Sequence, residues 1–499
     1  MNIKKAKETV EATVVSYLTK NEYGEYEIPT KEQRPIFLMG APGIGKTDIM
    51  SQVASELGIS LLTYSMTHHT RQSAIGLPII KTKTYHGEEF TVSEYTMPEI
   101  ISSIHEMIEK TGKQTGILFL DEINCVSETL SPIMLRFLQY KEFGNYVVPE
   151  GWIVVTAGNP PEYNNSVHDF DIVTWDRLKR IDIEPDFEIW KTYAYTVGVH
   201  PSIISYLESK KSNFYSIEQT VDGKNFVTAR GWTDLSKIIL LYEKNGYDVD
   251  KDLVFQYIRN EKIARDYAVY YDLYKKYKSD YHVTEIINGE WTDEIMERAQ
   301  NAPYDEKFSL IGLLIECMGN DAKAFNQQKA VRLELCKKLK AFAESKDVVG
   351  DIEGLIQEYR DQLNAKKITN NISSNEKDNI LLAIKLLEKY AEAARKLPDN
   401  PYGSVVTAFN IDNGKYQVLK KTVAAHFENI FKFGDEAFGK ESQQLLIICT
   451  EAVASPHISR YIGDANCPAY FEHDELLMFH KRNMEIIRKL GDLEELENM

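Results

Sequence analysis

Cysteine is scarce in this chain: five among 499 residues, at Cys125, Cys317, Cys336, Cys449 and Cys467. None forms a C-x-x-C pair, and an odd count argues against a disulfide framework. Cys467, His473 and His480 lie close together in sequence, but they lack the fourth ligand and the spacing of a zinc site; scattered core and surface residues are the better reading. Long apolar runs are also missing. Stretches such as Ile117–Leu120 and Leu445–Cys449 are far too short to cross a bilayer. The start, Met1-Asn2-Ile3-Lys4-Lys5, leads into an amphipathic stretch and not an apolar signal core, so a cytoplasmic location is expected. Positive charge is short as well. Lysine and arginine total 58 against 75 acidic residues, a net charge of −17. That balance gives no whole-chain footprint for nucleic acid, although a local basic groove stays open. Internal repeats and low-complexity tracts are absent.

What remains is an ordinary globular composition, 43% apolar and 27% charged. The length calls for two to four domains. Residues 3–20 read as a helix with Val10, Val14, Tyr17 and Leu18 on one face. Short apolar segments follow at Pro35–Met39, Ile59–Tyr64, Gly116–Leu120, Gly151–Thr156 and Arg180–Ile183, separated by helical or loop material. Such strands suit a parallel sheet buried between helix layers. Thr47–Leu57 reads as a helix with Gly58 closing it. Two hairpins interrupt the rhythm, Ile79–Tyr95 turning at His86-Gly87 and Lys141–Val148 turning at Gly144-Asn145. After about residue 186 the strand signal fades and the rest reads as helical, with long periodic runs at Glu376–Leu397 and Leu476–Leu490. The 278–305 region and Asp399-Asn400-Pro401 read as connectors. Phe427, Phe431, Phe433, Phe438, Tyr470, Phe471 and Phe479 read as core.

One loop carries a specific chemistry. Gly40-Ala41-Pro42-Gly43-Ile44-Gly45-Lys46-Thr47 fits G-x-x-x-x-G-K-[ST] and sits between a strand and a helix. Its glycines let backbone N–H groups turn inward onto phosphates, and the helix N-terminus adds its dipole. Lys46 would reach the β- and γ-phosphates of ATP, and the Thr47 hydroxyl would bind Mg²⁺. Ile117–Leu120 then delivers Asp121 and Glu122 at a strand's C-terminal end, where ligands of open α/β sheets bind. Asp121 could hold Mg²⁺ and Glu122 could deprotonate the attacking water. Trp152–Asn159 delivers Asn159 in the same way, to the γ-phosphate or that water; an Asn-Pro turn before Pro160 is the alternative. In Asp176-Arg177-Leu178-Lys179-Arg180 a guanidinium could stabilise the transferred phosphoryl group, or simply end a charged element. Arg230, at the start of an amphipathic helix, could reach the nucleotide from a helical lid.

Together these segments resemble the AAA+ ATPases, most closely the MoxR-like, dynein-related branch, over about Tyr23–Lys278. The resemblance covers the Walker A loop, the Walker B pair Asp121-Glu122, a sensor at Asn159, the Asp-Arg-Leu element and a second sensor at Arg230. Ser73–Pro98 resembles that branch's helix-2 insert, and Lys141–Trp152 its hairpin before the first sensor. It implies an α/β fold: a P-loop NTPase three-layer αβα AAA+ core with a parallel five-stranded sheet, a helical lid, and a mostly α-helical C-terminal domain. The implied division is 1–30 as N-terminal helix and linker, 31–190 as ATPase core, 191–278 as lid and 279–499 as a helical domain of unassigned role. It also implies a homo-oligomeric ring, usually a hexamer, with Arg177 as the arginine finger and Arg180 as the alternative. Many relatives read Arg-Phe where this chain reads Asp-Arg-Leu, which leaves the choice between the two open. Family members remodel proteins, often beside a von Willebrand factor A domain partner. This chain has no Asp-x-Ser-x-Ser metal motif, so such a partner would be a separate chain.

The first expectation is therefore an ATP-hydrolysing protein-remodelling machine, with Tyr85, His86 and Phe90 on a loop facing a central pore. A nucleic-acid motor would instead need basic hairpins. Lys81 and Lys83 are offset there by Glu88, Glu89 and Glu94, and the second hairpin adds only Lys141. A nucleotide-gated scaffold is the third reading, against which stands the intact Asp121-Glu122 pair.

Overall fold

The computed structural model describes residues 1–68, 76–163, 167, 170–220, 223–368, 373–465 and 467–473. The chain divides into two compact units. One takes Met1–Ile189 together with Thr228–Gly231; the other takes Trp190–Val227 and the chain from Trp232 onward.

The first unit is built on a five-stranded sheet. Its strands are β1 (Ile36–Gly40), β2 (Ser60–Ser65), β5 (Gly116–Asp121), β8 (Trp152–Gly158) and β9 (Lys179–Ile183), in the order β2-β5-β8-β1-β9. Every pairing is parallel. The near-continuous apolar runs follow from burial of both faces. Ile36, Leu38, Ile117, Phe119, Ile153 and Val155 join Val10 and Val14 of helix α1 (Ile3–Leu18), and Ile49 and Met50 of helix α2 (Lys46–Glu56), in one core. The alternate residues Phe37, Met39, Leu118, Leu120 and Val154 form a second core with Ile100, Ile104, Met134 and Phe137. Period-two alternation across one sheet thus generates three layers.

Two antiparallel ribbons leave this core. The first pairs β3 (Pro78–Tyr85) with β4 (Glu88–Tyr95), and the second pairs β6 (Glu142–Phe143) with β7 (Tyr146–Val147). His86 and Gly87 both take positive φ at the first turn, and Gly144 does so at the second, the geometry that two-residue hairpin turns favour. Residues 73–75 of the expected insert lie outside the described residues.

The second unit is mostly helical, as expected. Its longest helices are Tyr304–Lys340 and Pro401–Phe438. Phe427, Phe431, Phe433 and Tyr470 are buried in its core and Phe438 packs against it. Lys191 is nearly excluded from solvent, and its ammonium donates to Glu208 at 2.7 Å and Glu451 at 2.8 Å. Burial opposes that charge, but the two carboxylates override it and hold Lys191 above the ordinary lysine range.

Three expectations need correction. Strand structure does not end near residue 186, because β10 (Ser216–Thr220) and β11 (Gly223–Val227) form a further hairpin. Its residues are mostly polar, so the apolar alternation that marks a half-buried strand is missing; the Asp222-Gly223 pair was the available signal. The 278–305 region is no simple connector. It holds helices Val283–Asn288 and Asp293–Asn301, the first closed by Gly289 at φ +80° and the second capped by Thr292. Phe471 is 42% exposed and so is not core. Phe479, His480 and the helix expected at Leu476–Leu490 lie outside the described residues. Among the described residues no helix is long and apolar enough to cross a membrane.

Candidate functional site

The strand order sets the C-terminal ends of β5, β8 and β1 side by side. Asp121, Gly158 and Gly40 are their last residues. The loop that continues from Gly40 turns through Gly43 at φ +73° and Gly45 at φ +94°. Both angles are left-handed, where a side chain costs roughly 1 kcal/mol or more. Gly45 is the N-cap of α2 and supplies no side-chain cap, so the first N–H groups of that helix face whatever enters the loop.

Lys46 lies at the start of α2 and is 9% exposed. Its Nζ donates to the carbonyl oxygens of Gly40 at 2.8 Å and Ala41 at 3.0 Å, and to Asn159 Oδ1 at 2.9 Å. Burial lowers its pKa to about 8; Asp121 and Glu122 pull the other way, while the Arg230 charge adds to the depression. Thr47 Oγ1 donates to Asp121 Oδ2 at 3.0 Å. The sequence placed Lys46 with Thr47, and Asp121 with Glu122; the fold joins the two pairs and adds Asn159.

Glu122 has a left-handed backbone, φ +56°, which is uncommon for a non-glycine residue and is found at functional sites. Its N–H donates to Asp121 Oδ1 at 2.9 Å. Its Oε2 accepts from Thr67 at 3.2 Å and from Ser65 at 3.4 Å. The last residue of β2, Ser65, and Thr67 in the turn after it therefore supply hydroxyls that orient the carboxylate, a role sequence reasoning missed. It also missed Asn124, which is 3% exposed and donates from Nδ2 to the Asn159 carbonyl at 2.8 Å. A Cβ on Gly158 would lie 2.4 Å from Asn124 Oδ1, so this close approach needs glycine there. No local pattern marks Asn124 or Thr67 as distinct from other polar loop residues.

The two candidate arginines differ. Arg180 is committed within its own chain: it pairs with Asp182 at 2.8 Å and lies 4.7 Å from the centre of the Trp175 ring. Arg177 is exposed and donates to Gln139 at 2.7 Å. Beside it, Ile172 and Val173 are 85% and 56% exposed. Arg230 reaches the loop through its backbone, donating to the Gly43 carbonyl at 3.2 Å, and its side chain is exposed.

These groups suit a magnesium nucleotide. A hydroxyl and a carboxylate in contact are hard oxygen ligands for Mg²⁺. Lys46 forms no ion pair with a carboxylate among the described residues, so its buried ammonium can take a phosphate as its charge partner.

Residues 36–161 match the family described as "ATPase family associated with various cellular activities (AAA)". An AAA-type domain thus occupies the stretch that holds the loop, Asp121, Glu122 and Asn159, on the P-loop fold described above. No curated protein matches the chain. Among solved structures, two variants of Thermotoga maritima RuvB resemble it over 52% and 51% of its length and 69% of theirs. Their identities are 16% and 15%, with TM-scores of 0.27 and 0.29.

Proposed function

We propose that the chain binds Mg-ATP at Gly40–Thr47 and hydrolyses it as a ring-forming ATPase that remodels polypeptides. The observation that carries this reading is the junction of Thr47 with Asp121 and of Lys46 with Asn159 at three adjacent strand ends. In this reading the loop amides from Gly43 to Thr47 and Lys46 hold the phosphates, and Ala41 and Pro42 shape the loop. Thr47 and Asp121 hold Mg²⁺, and Glu122, oriented by Thr67, takes the proton of the attacking water. Asn159 fixes Lys46 or that water. The MoxR-like assignment, the hexamer, the lid at 191–278, the cytoplasmic location and a von Willebrand factor A domain partner belong to the same proposal.

A neighbouring subunit would supply Arg177, because Arg180 is already paired and the bare Ile172 and Val173 need cover. Arg177→Ala is then expected to lower kcat about a thousandfold while ATP binding persists. Mixing it with Lys46→Ala protein should restore activity, since each variant contributes the half that the other lacks. No recovery on mixing, measured as phosphate release, would remove the shared site.

The β3–β4 ribbon supports a polypeptide over a nucleic acid. Lys81 and Lys83 both pair with Glu94, which leaves little charge for phosphates. Ile80, Tyr85 and Phe90 are 80%, 49% and 47% exposed, a surface suited to apolar segments. Trapping the Glu122→Gln variant with ATP and identifying the captured protein tests this. A monomer that captures nothing, or a rate stimulated by DNA, would sink it.

Lys46 also predicts a pH dependence. Phosphate binds its charged form, and the free site loses that proton near pH 8. Nucleotide affinity is expected to be level below about pH 7 and to fall up to about tenfold per unit above the pKa. A dissociation constant for a fluorescent ATP analogue that stays flat from about pH 7 to pH 9.5 would contradict the proposed role of Lys46.

A further inference from the structure

Thr228–Gly231 clusters with the first unit, although the chain on either side of it does not. The segment opens the helix Ala229–Asn245, which has 17 residues. The first N–H groups of a helix have no partner inside it. Here Gly231 N–H is capped by Thr228 Oγ1 at 3.1 Å, while Arg230 N–H goes to the Gly43 carbonyl at 3.2 Å. The contact is close: a Cβ on Gly43 would sit 3.2 Å from Thr228 Cβ and Oγ1, and 3.3 Å from Arg230 Cβ. Gly43 is therefore glycine for two reasons, its φ of +73° and the close approach of Thr228 and Arg230.

The peptide joining Gly43 to Ile44 is planar and trans, so its C=O and N–H point in opposite directions. Holding the Gly43 carbonyl on Arg230 N–H turns the Ile44 N–H away from that helix. The direction of one phosphate-loop amide is thereby set by a segment that lies 184 residues further along the chain.

Resting on the nucleotide site proposed above, we infer that Thr228 is a positioning residue for phosphate binding. Its hydroxyl fixes the first helical turn, that turn holds the Gly43 carbonyl, and the carbonyl orients the Ile44 amide. This role is separate from any contact of the Arg230 guanidinium, because it runs through the backbone.

The test compares Thr228→Ala, Thr228→Val and Thr228→Ser, with equilibrium binding of a fluorescent ADP and a fluorescent ATP analogue as the main readout. Val keeps the bulk against Gly43 and removes the hydroxyl; Ser keeps the hydroxyl. Loss of an N-cap of this kind corresponds to about fivefold in an equilibrium constant. Ala and Val are expected to raise both Kd and KM by about that factor, with kcat at saturating ATP within about twofold of wild type, and Ser is expected to restore both. Val also serves if the Ala variant does not fold. Unchanged Kd values in Ala and Val would overturn the inference, as would a fall in kcat with KM constant. Lys46→Ala, run alongside, separates the two claims. If it still binds nucleotide, the site itself is wrong; if it does not bind and the Thr228 variants match wild type, only the Thr228 role fails.

Discussion

Glu122→Gln is expected to keep nucleotide binding and to lose turnover by about 100- to 10,000-fold. Gln preserves the shape of Glu122 and can still meet the hydroxyls of Thr67 and Ser65, which lie 3.2 and 3.4 Å from Oε2. It cannot accept a proton at neutral pH. The Thr47–Asp121 contact and the three Lys46 bonds are untouched, so affinity should hold within a few-fold. The left-handed backbone at Glu122 should also survive, because Asp121 Oδ1 fixes its N–H. The check is single-turnover hydrolysis beside equilibrium binding. A variant that turns over at the wild-type rate would show that Glu122 is not the base.

Lys46→Ala should act at the earlier step. The buried ammonium bridges two loop carbonyls and Asn159. Its removal takes a donor from each of those acceptors and removes a buried positive charge available to a phosphate. Deleting one partner of a buried charged contact costs about 3 kcal/mol, roughly a hundredfold in Kd. Asn159→Ala should be milder, since it removes one of three acceptors from Lys46 and leaves the charge. Titration of the fluorescent ATP analogue measures both. Equal affinity in Lys46→Ala and wild type would exclude phosphate contact by this residue.

Legibility followed locality. Gly40–Thr47 could be read because its chemistry is compressed into eight neighbouring residues, and the five strands because burial on both faces leaves apolar runs. Asp121 and Glu122 were readable as acids at a strand end. The partnership of Lys46 with Asn159 spans 113 positions and arises only when β8 settles between β5 and β1. Thr67 and Asn124 are ordinary polar residues until the fold brings them to Glu122 and Asn159. The β10–β11 hairpin escaped because Glu218, Gln219, Lys224 and Asn225 give it no apolar alternation. The helix at 293–301 escaped because only Ile295 and Ala299 are buried in it, too few to mark a face. The proposed preference for Arg177 over Arg180 rests on the contacts of Arg180 with Asp182 and Trp175, which spacing alone does not reveal.

Phosphate release from ATP by wild-type, Lys46→Ala and Glu122→Gln proteins, each with and without Mg²⁺, tests the composite site most directly. The expected result is turnover by the wild type that requires Mg²⁺, with neither variant active and only Glu122→Gln retaining bound nucleotide. Equal rates in all three proteins, or a wild-type rate indifferent to Mg²⁺, would contradict it.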